Sequence, residues 1–150
     1  MSQETRNAVE LDDLYQEIIL DHFKNPRNAR PLTDDEVVVD EENPTCGDQI
    51  KLFAKVEDGK VVDVKYEARG CAISTASASM MSELAMGRSI DEVRELTTSF
   101  SAMMRGEKPF EGDGFDDLIA LEGVKRYPLR IKCATMCWHA LNSALDQLKA

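Results

Sequence analysis

No stretch of this sequence approaches the ~20 apolar residues that a membrane helix requires. Its first ten residues, MSQETRNAVE, are polar and hold no apolar core of the signal-peptide kind. A cytoplasmic chain without a membrane partner is therefore expected. Positive charge is also scarce, with 18 basic residues against 28 acidic ones and a net charge of −10. A surface that negative repels phosphate backbones, so a nucleic-acid partner is not expected. Most of this acidity reads as ordinary solvated surface. The chain contains no CxxC pair, no internal repeat and no low-complexity tract. Gly112-Asp113-Gly114 lacks the strand-and-helix setting of a phosphate loop.

What is present suits one domain. The 150 residues, 43% of them hydrophobic, are enough for one packed core. Residues 1–10 read as a flexible tail, and 11–150 as the domain. Four cysteines in a reducing compartment are free, metal-bound or reactive rather than paired.

Leu11, Leu14, Tyr15, Ile18 and Ile19 fall on one helix face, and Asn25-Pro26 ends that helix because the residue before proline is pushed out of the α region. The β-branched run Val37-Val38-Val39 suggests a first strand. Ile50, Leu52, Ala54 and Val56 alternate with polar or facing residues, as do Val62, Val64 and Tyr66, and Asp58-Gly59 between them marks a hairpin. A plain two-residue turn sets Ile50 against Glu67. A type I turn with a bulge at Gly59 sets Ile50 against Tyr66, Leu52 against Val64 and Ala54 against Val62, which is the expected register. Ala72 to Met86 reads as a helix closed by Gly87. Ser89-Ile90-Asp91-Glu92 opens another as a capping box. Gly106, Pro109, Gly112 and Gly114 make 106–116 a loop, Asp117 to Glu122 a short helix, and Leu129 to Leu148 the last long one. The expected fold is α+β, a small three-stranded antiparallel sheet packed with helices.

The hairpin carries chemistry at its open end. Cys46 and Asp48 flank Gly47 at the start of one strand, and Gly70-Cys71 follows the end of the other. In the expected register Cys46 lies opposite Gly70, with the Cβ atoms of Cys46 and Cys71 roughly 5–8 Å apart. Asp48, two residues from Cys46, points to the same face. A fourth donor has to come from elsewhere, and Cys133 on the last helix is the best candidate. Three thiolates and one carboxylate suit tetrahedral zinc. They leave a net charge near −2, and Arg130, three residues before Cys133, is placed to offset part of it. Lys132 points about 100° away on a regular helix. Free cysteine is often simple core, and pattern alone does not choose between that and a metal site. Cys137 shares a face with Ala140, Leu141 and Ala144 and reads as core. His22 and His139 read as structural, and Met80, Met81, Met103 and Met104 as core filling.

Four segments together carry a family resemblance: LYQEIILDHFKNPRN at 14–28, NPTCGD at 43–48, GCAISTASASMM at 70–81 and RIKCATMCWHAL at 130–141. The sequence resembles the SufU-type zinc-dependent sulfurtransferases of the IscU/NifU N-terminal-like family, over about Leu11 to Leu148. The resemblance implies one zinc held by Cys46, Asp48, Cys71 and Cys133, and it assigns Cys46 as the sulfur acceptor. The implied donor is a PLP-dependent cysteine desulfurase of the SufS type, with downstream iron–sulfur cluster assembly machinery as the recipient. The alternative is an iron–sulfur cluster scaffold. Scaffold members have a histidine before the third cysteine, where this chain has Lys132. They also lack the inserted segment, here about 106–125. Cys137 departs from the small apolar residue usual in the SufU pattern.

Overall fold

The computed structural model describes residues 16–44, 47–107 and 116–148. The expected N-terminal tail and the helix positions Leu11, Leu14 and Tyr15 lie outside the described residues. Helix α1 covers 16–24 and stops before Asn25-Pro26. A 3-10 turn at Asp34–Glu36 leads to strands β1 (Val39–Asn43), β2 (Asp48–Glu57) and β3 (Lys60–Arg69). They form one antiparallel sheet in the order β1-β2-β3. Helices α2 (Ala72–Ala85), α3 (Ile90–Met104) and α4 (Asp116–Ile119) follow, then a 3-10 turn at Ala120–Arg126 and α5 (Pro128–Leu148). The α+β architecture is the expected one. No helix among the described residues is long and apolar enough to cross a membrane.

The hairpin register needs correction. Asp58 and Gly59 have φ of 54° and 75°, as both central residues of a type I′ turn require, so the turn is a plain two-residue one. The bulge lies further along, where Val61 and Val62 together oppose Val56. It turns Val62 outward and leaves Val61 and Val64 buried. Beyond it Ile50 faces Ala68, Leu52 faces Tyr66 and Ala54 faces Val64, two residues away from the expected partners. The first strand also starts later, at Val39 rather than Val37, and continues to Asn43. The short helix expected at Asp117 to Glu122 is a single α turn that tightens into a 3-10 stretch reaching Arg126.

One face of the sheet receives α2 and α5. Ile50, Leu52, Ala54, Val64 and Tyr66 supply the sheet side of the core. Helix α2 is buried along much of its length, and its small residues let neighbours approach closely. Its buried hydroxyls are satisfied: Ser77 Oγ donates to the Ala134 carbonyl at 2.6 Å, and Ser82 Oγ to the Ser79 carbonyl at 2.7 Å. Helix α3 opens on the expected capping box, with Glu92 N–H donating to Ser89 Oγ and Ser89 N–H to Glu92 Oε1. Helix α5 buries Cys133, Ala134, Cys137, Trp138, Leu141 and Leu145, and Trp138 meets Phe100 of α3 at 5.5 Å between ring centroids. The four methionines expected in the core are all buried there.

Candidate metal centre

The shifted register determines what stands at the open end of the hairpin. With Gln49 against Arg69, the next step brings Asp48, not Cys46, level with Gly70. Gly70 is required there, because a Cβ would collide with the Asp48 carboxylate and the Ser74 hydroxyl. The Asp48 side chain thus lies over the turn that opens α2. Cys71 is the N-cap of that helix, and its N–H donates to Asp48 Oδ1 at 3.2 Å. Cys71 Sγ lies 4.0 Å from Asp48 Oδ2.

The third donor arrives from far along the chain. Helix α5 places Cys133 so that its sulfur, the Cys71 sulfur and an Asp48 oxygen all lie within 4.8 Å of one another. Asp48 and Cys133 are each 1% exposed, and Cys71 is half-buried. A carboxylate so far from water is costly without a compensating cation. Three convergent O, S and S donors are the chemistry that a borderline-soft divalent ion takes, so the residues fit a metal. Cys46, the fourth expected donor, lies outside the described residues.

Arg130 sits one helical turn from Cys133 and faces the same group. Negative charge at Cys71, together with hydrogen bonds to Cys71 and Cys133, raises the guanidinium pKa above its ordinary value. Lys132 is exposed, in keeping with its offset on the helix. Cys137 is held apart from the cluster: it is fully buried, 3.4 Å from Ser77 Oγ, and burial pushes its thiol up to about 12. His139 is exposed, and His22 is buried but packed between α2 and α4, so neither joins the donors.

Two features here had no signal in the sequence pattern. One is the close approach of Asp48 to Gly70, which depends on the register. The other is a cavity of about 510 Å³ beside the cluster, lined by Ile19, Ile73, Val124, Tyr127 and Arg130 among others. Tyr127 at its rim is 62% exposed.

A three-stranded sheet covered by helices, with a buried carboxylate and two thiols converging at one end, defines a small α+β domain with a candidate metal centre. The chain belongs to the NifU-like N-terminal domain family, whose model matches residues 14–147. It is 46% identical to the zinc-dependent sulfurtransferase SufU of Bacillus subtilis over 135 residues, 90% of this chain and 91% of that protein. It is 40% identical to the iron–sulfur cluster assembly scaffold protein IscU of Thermotoga maritima, covering 90% of this chain and 94% of that one. In structure it is similar to the N-terminal part of a nitrogen-fixing NifU-like protein from Brucella abortus. The TM-score is 0.83 at 26% identity, covering 92% of this chain and 96% of the other.

Proposed function

We propose that this protein is a zinc-dependent sulfurtransferase of iron–sulfur cluster assembly, which takes sulfur onto Cys46 from the persulfide of a SufS-type cysteine desulfurase. The observation that carries the reading is the meeting of Asp48, Cys71 and Cys133 donor atoms within 4.8 Å. Its context is a sequence 46% identical to a protein named as a zinc-dependent sulfurtransferase. Cys46, Asp48, Cys71 and Cys133 would hold one zinc, which when bound supplies positive charge that keeps its sulfur ligands deprotonated.

The chain's own residues then have distinct tasks. A free cysteine is only about 3% thiolate at pH 7, so an acceptor needs its proton removed beforehand. The Cys46 thiolate attacks the outer sulfur of the donor's persulfide. The S–S bond of the donor breaks, its electron pair leaves with the donor cysteine as thiolate, and Cys46 becomes the persulfide. A thiolate of the next protein repeats the exchange on the outer sulfur, and Cys46 is regenerated. Asp48, held by Gly70 and the Cys71 N–H, fixes one side of the cluster. Arg130 offsets the negative charge of Cys71 and Cys133.

Alanine and sulfide release by a cysteine desulfurase, measured with and without this protein under reductant, tests the proposal. Wild type should accelerate turnover, and Cys46→Ala should leave the desulfurase at its basal rate. Full acceleration by Cys46→Ala would exclude Cys46 as acceptor. The scaffold alternative keeps some support from relatives named IscU. Anaerobic reconstitution that yields a coloured cluster, transferred intact to an apo-ferredoxin, would favour it.

A further inference from the structure

The outer edge of β3, the edge away from β2, carries a second feature. Residues 28–30 run parallel to β3 for a single rung: Tyr66 N–H donates to the Asn28 carbonyl at 3.3 Å, and Arg30 N–H donates to the Tyr66 carbonyl at 3.1 Å. Both main-chain groups of Tyr66 therefore point away from β2. By strand alternation those of Ala68 do too. The ladder stops there, because neither the Arg30 carbonyl nor the Leu32 N–H, the groups of the next rung, pairs with Ala68. Ala68 N–H and C=O are thus left without a partner among the described residues, an open rung at a sheet edge.

A groove of about 510 Å³ runs beside this rung, with Arg30, Lys51 and Arg69 on its walls. None of the three cations makes an ion pair among the described residues. Glu67 is the one acidic residue of the groove. The groove lining thus carries three positive groups against one negative, in a molecule of net charge −10, with Asp40 of β1 held beyond it by Gln49.

We propose that this groove is a docking site for an extended acidic segment of a partner protein, added as a short strand along β3 at Ala68. The partner backbone pairs with Ala68 N–H and C=O, and alternate carboxylates reach Arg30, Arg69 and Lys51. Gln49 and Arg69 face this groove while Asp48, next to Gln49, faces inward, so a segment bound here leaves the thiol cluster uncovered. The inference stands on charge and an unpaired edge, and does not depend on the sulfurtransferase reading.

The probe is an acetylated nonapeptide of alternating Glu and Val, titrated into the 15N-labelled protein and followed by amide shifts and hydrogen exchange. Three results are expected. Shifts centre on Arg30, Ala68 and Arg69; exchange at the Ala68 amide slows; and affinity falls with added salt. The Arg30→Glu/Arg69→Glu double variant changes only exposed side chains and should fold normally by circular dichroism. It should weaken the peptide on the order of tenfold, through the loss of two exposed charge pairs. The same peptide with Lys in place of Glu should not bind. Equal binding of the Lys peptide would overturn the proposal. So would inorganic phosphate reproducing the shifts with no slowing at Ala68, which would define a small-anion site instead.

Discussion

A methyl group added at Gly70 would strike the Asp48 carboxylate and the Ser74 hydroxyl, both of which are buried. Neither can swing freely into solvent, so the strain has to move the cluster. Gly70→Ala should lower stability by about 1–3 kcal/mol and weaken zinc retention, read by urea denaturation and by competition with a chromogenic chelator. Gly123→Ala, where nothing lies within 4 Å of the added carbon, should stay within about 0.5 kcal/mol and leave metal retention unchanged. Cys137 gives the opposite case, a thiol with chemistry suppressed. Burial raises it to about 12, and Ser77 only partly offsets this. In the folded protein at pH 8 iodoacetamide should leave Cys137 unmodified, and unfolding in guanidinium should make it reactive, with peptide mass spectrometry as the readout. Labelling of Cys137 in the native state would show that α5 opens more readily than its packing suggests.

Between elements, two polar contacts fasten pieces that the apolar pattern does not join. His22 of α1 is buried, with Nε2–H donating to Asp117 Oδ2 at 2.8 Å and Nδ1 hydrogen-bonded to Ser79 Oγ at 2.8 Å. The carboxylate only accepts, so the ring nitrogen facing Asp117 carries the proton. This one ring ties α1, α2 and α4 together. His22→Ala should cost about 2–4 kcal/mol in denaturation and speed amide exchange across 116–126. Glu36 fastens the first 3-10 turn to β3 through Lys65 Nζ at 2.6 Å. That hydrogen bond pulls the Glu36 carboxyl down to about 2 from an ordinary 4.5. Because the folded value is the lower one, the link stabilises the fold above pH 4.5 and is lost as pH falls toward 2. Glu36→Gln should therefore narrow the stability gap with wild type progressively over that window, measured by urea melts at pH 6, 4 and 2.5. The pairing of β2 with β3 shows where sequence pattern stops. Period-two alternation fixes which residues face the core, and it placed Ile50, Leu52, Val64 and Tyr66 there correctly. A slip of two residues preserves every face, so alternation could not tell Ile50–Tyr66 from the observed Ile50–Ala68. The bulge that decides it is a local choice to bury Val61 and expose Val62.

At the scale of the molecule, the cluster joins parts of the chain that are distant in sequence. Asp48 and Cys71 were legible because a hairpin brings its two open ends together whichever register it takes. Cys133 was not, since no local pattern says which helix covers the end of the sheet. Only the family resemblance and the need for another donor point to it. The packing of α5 on β2 and α2 is what delivers it. That topology has a thermodynamic consequence. An ion bound by Asp48 of β2, Cys71 at the start of α2 and Cys133 of α5 binds the native arrangement and not the unfolded chain, so its binding energy adds to folding energy. At a free concentration a thousandfold above its dissociation constant it adds about 4 kcal/mol. For a domain of this size that corresponds to a loss of roughly 10 °C in Tm when a chelator strips the ion. Cys133→Ser should melt near the chelated wild type and show little further shift with chelator, because the covering helix no longer contributes its sulfur. A wild-type Tm indifferent to zinc and to chelator would mean that the three donors meet for packing alone.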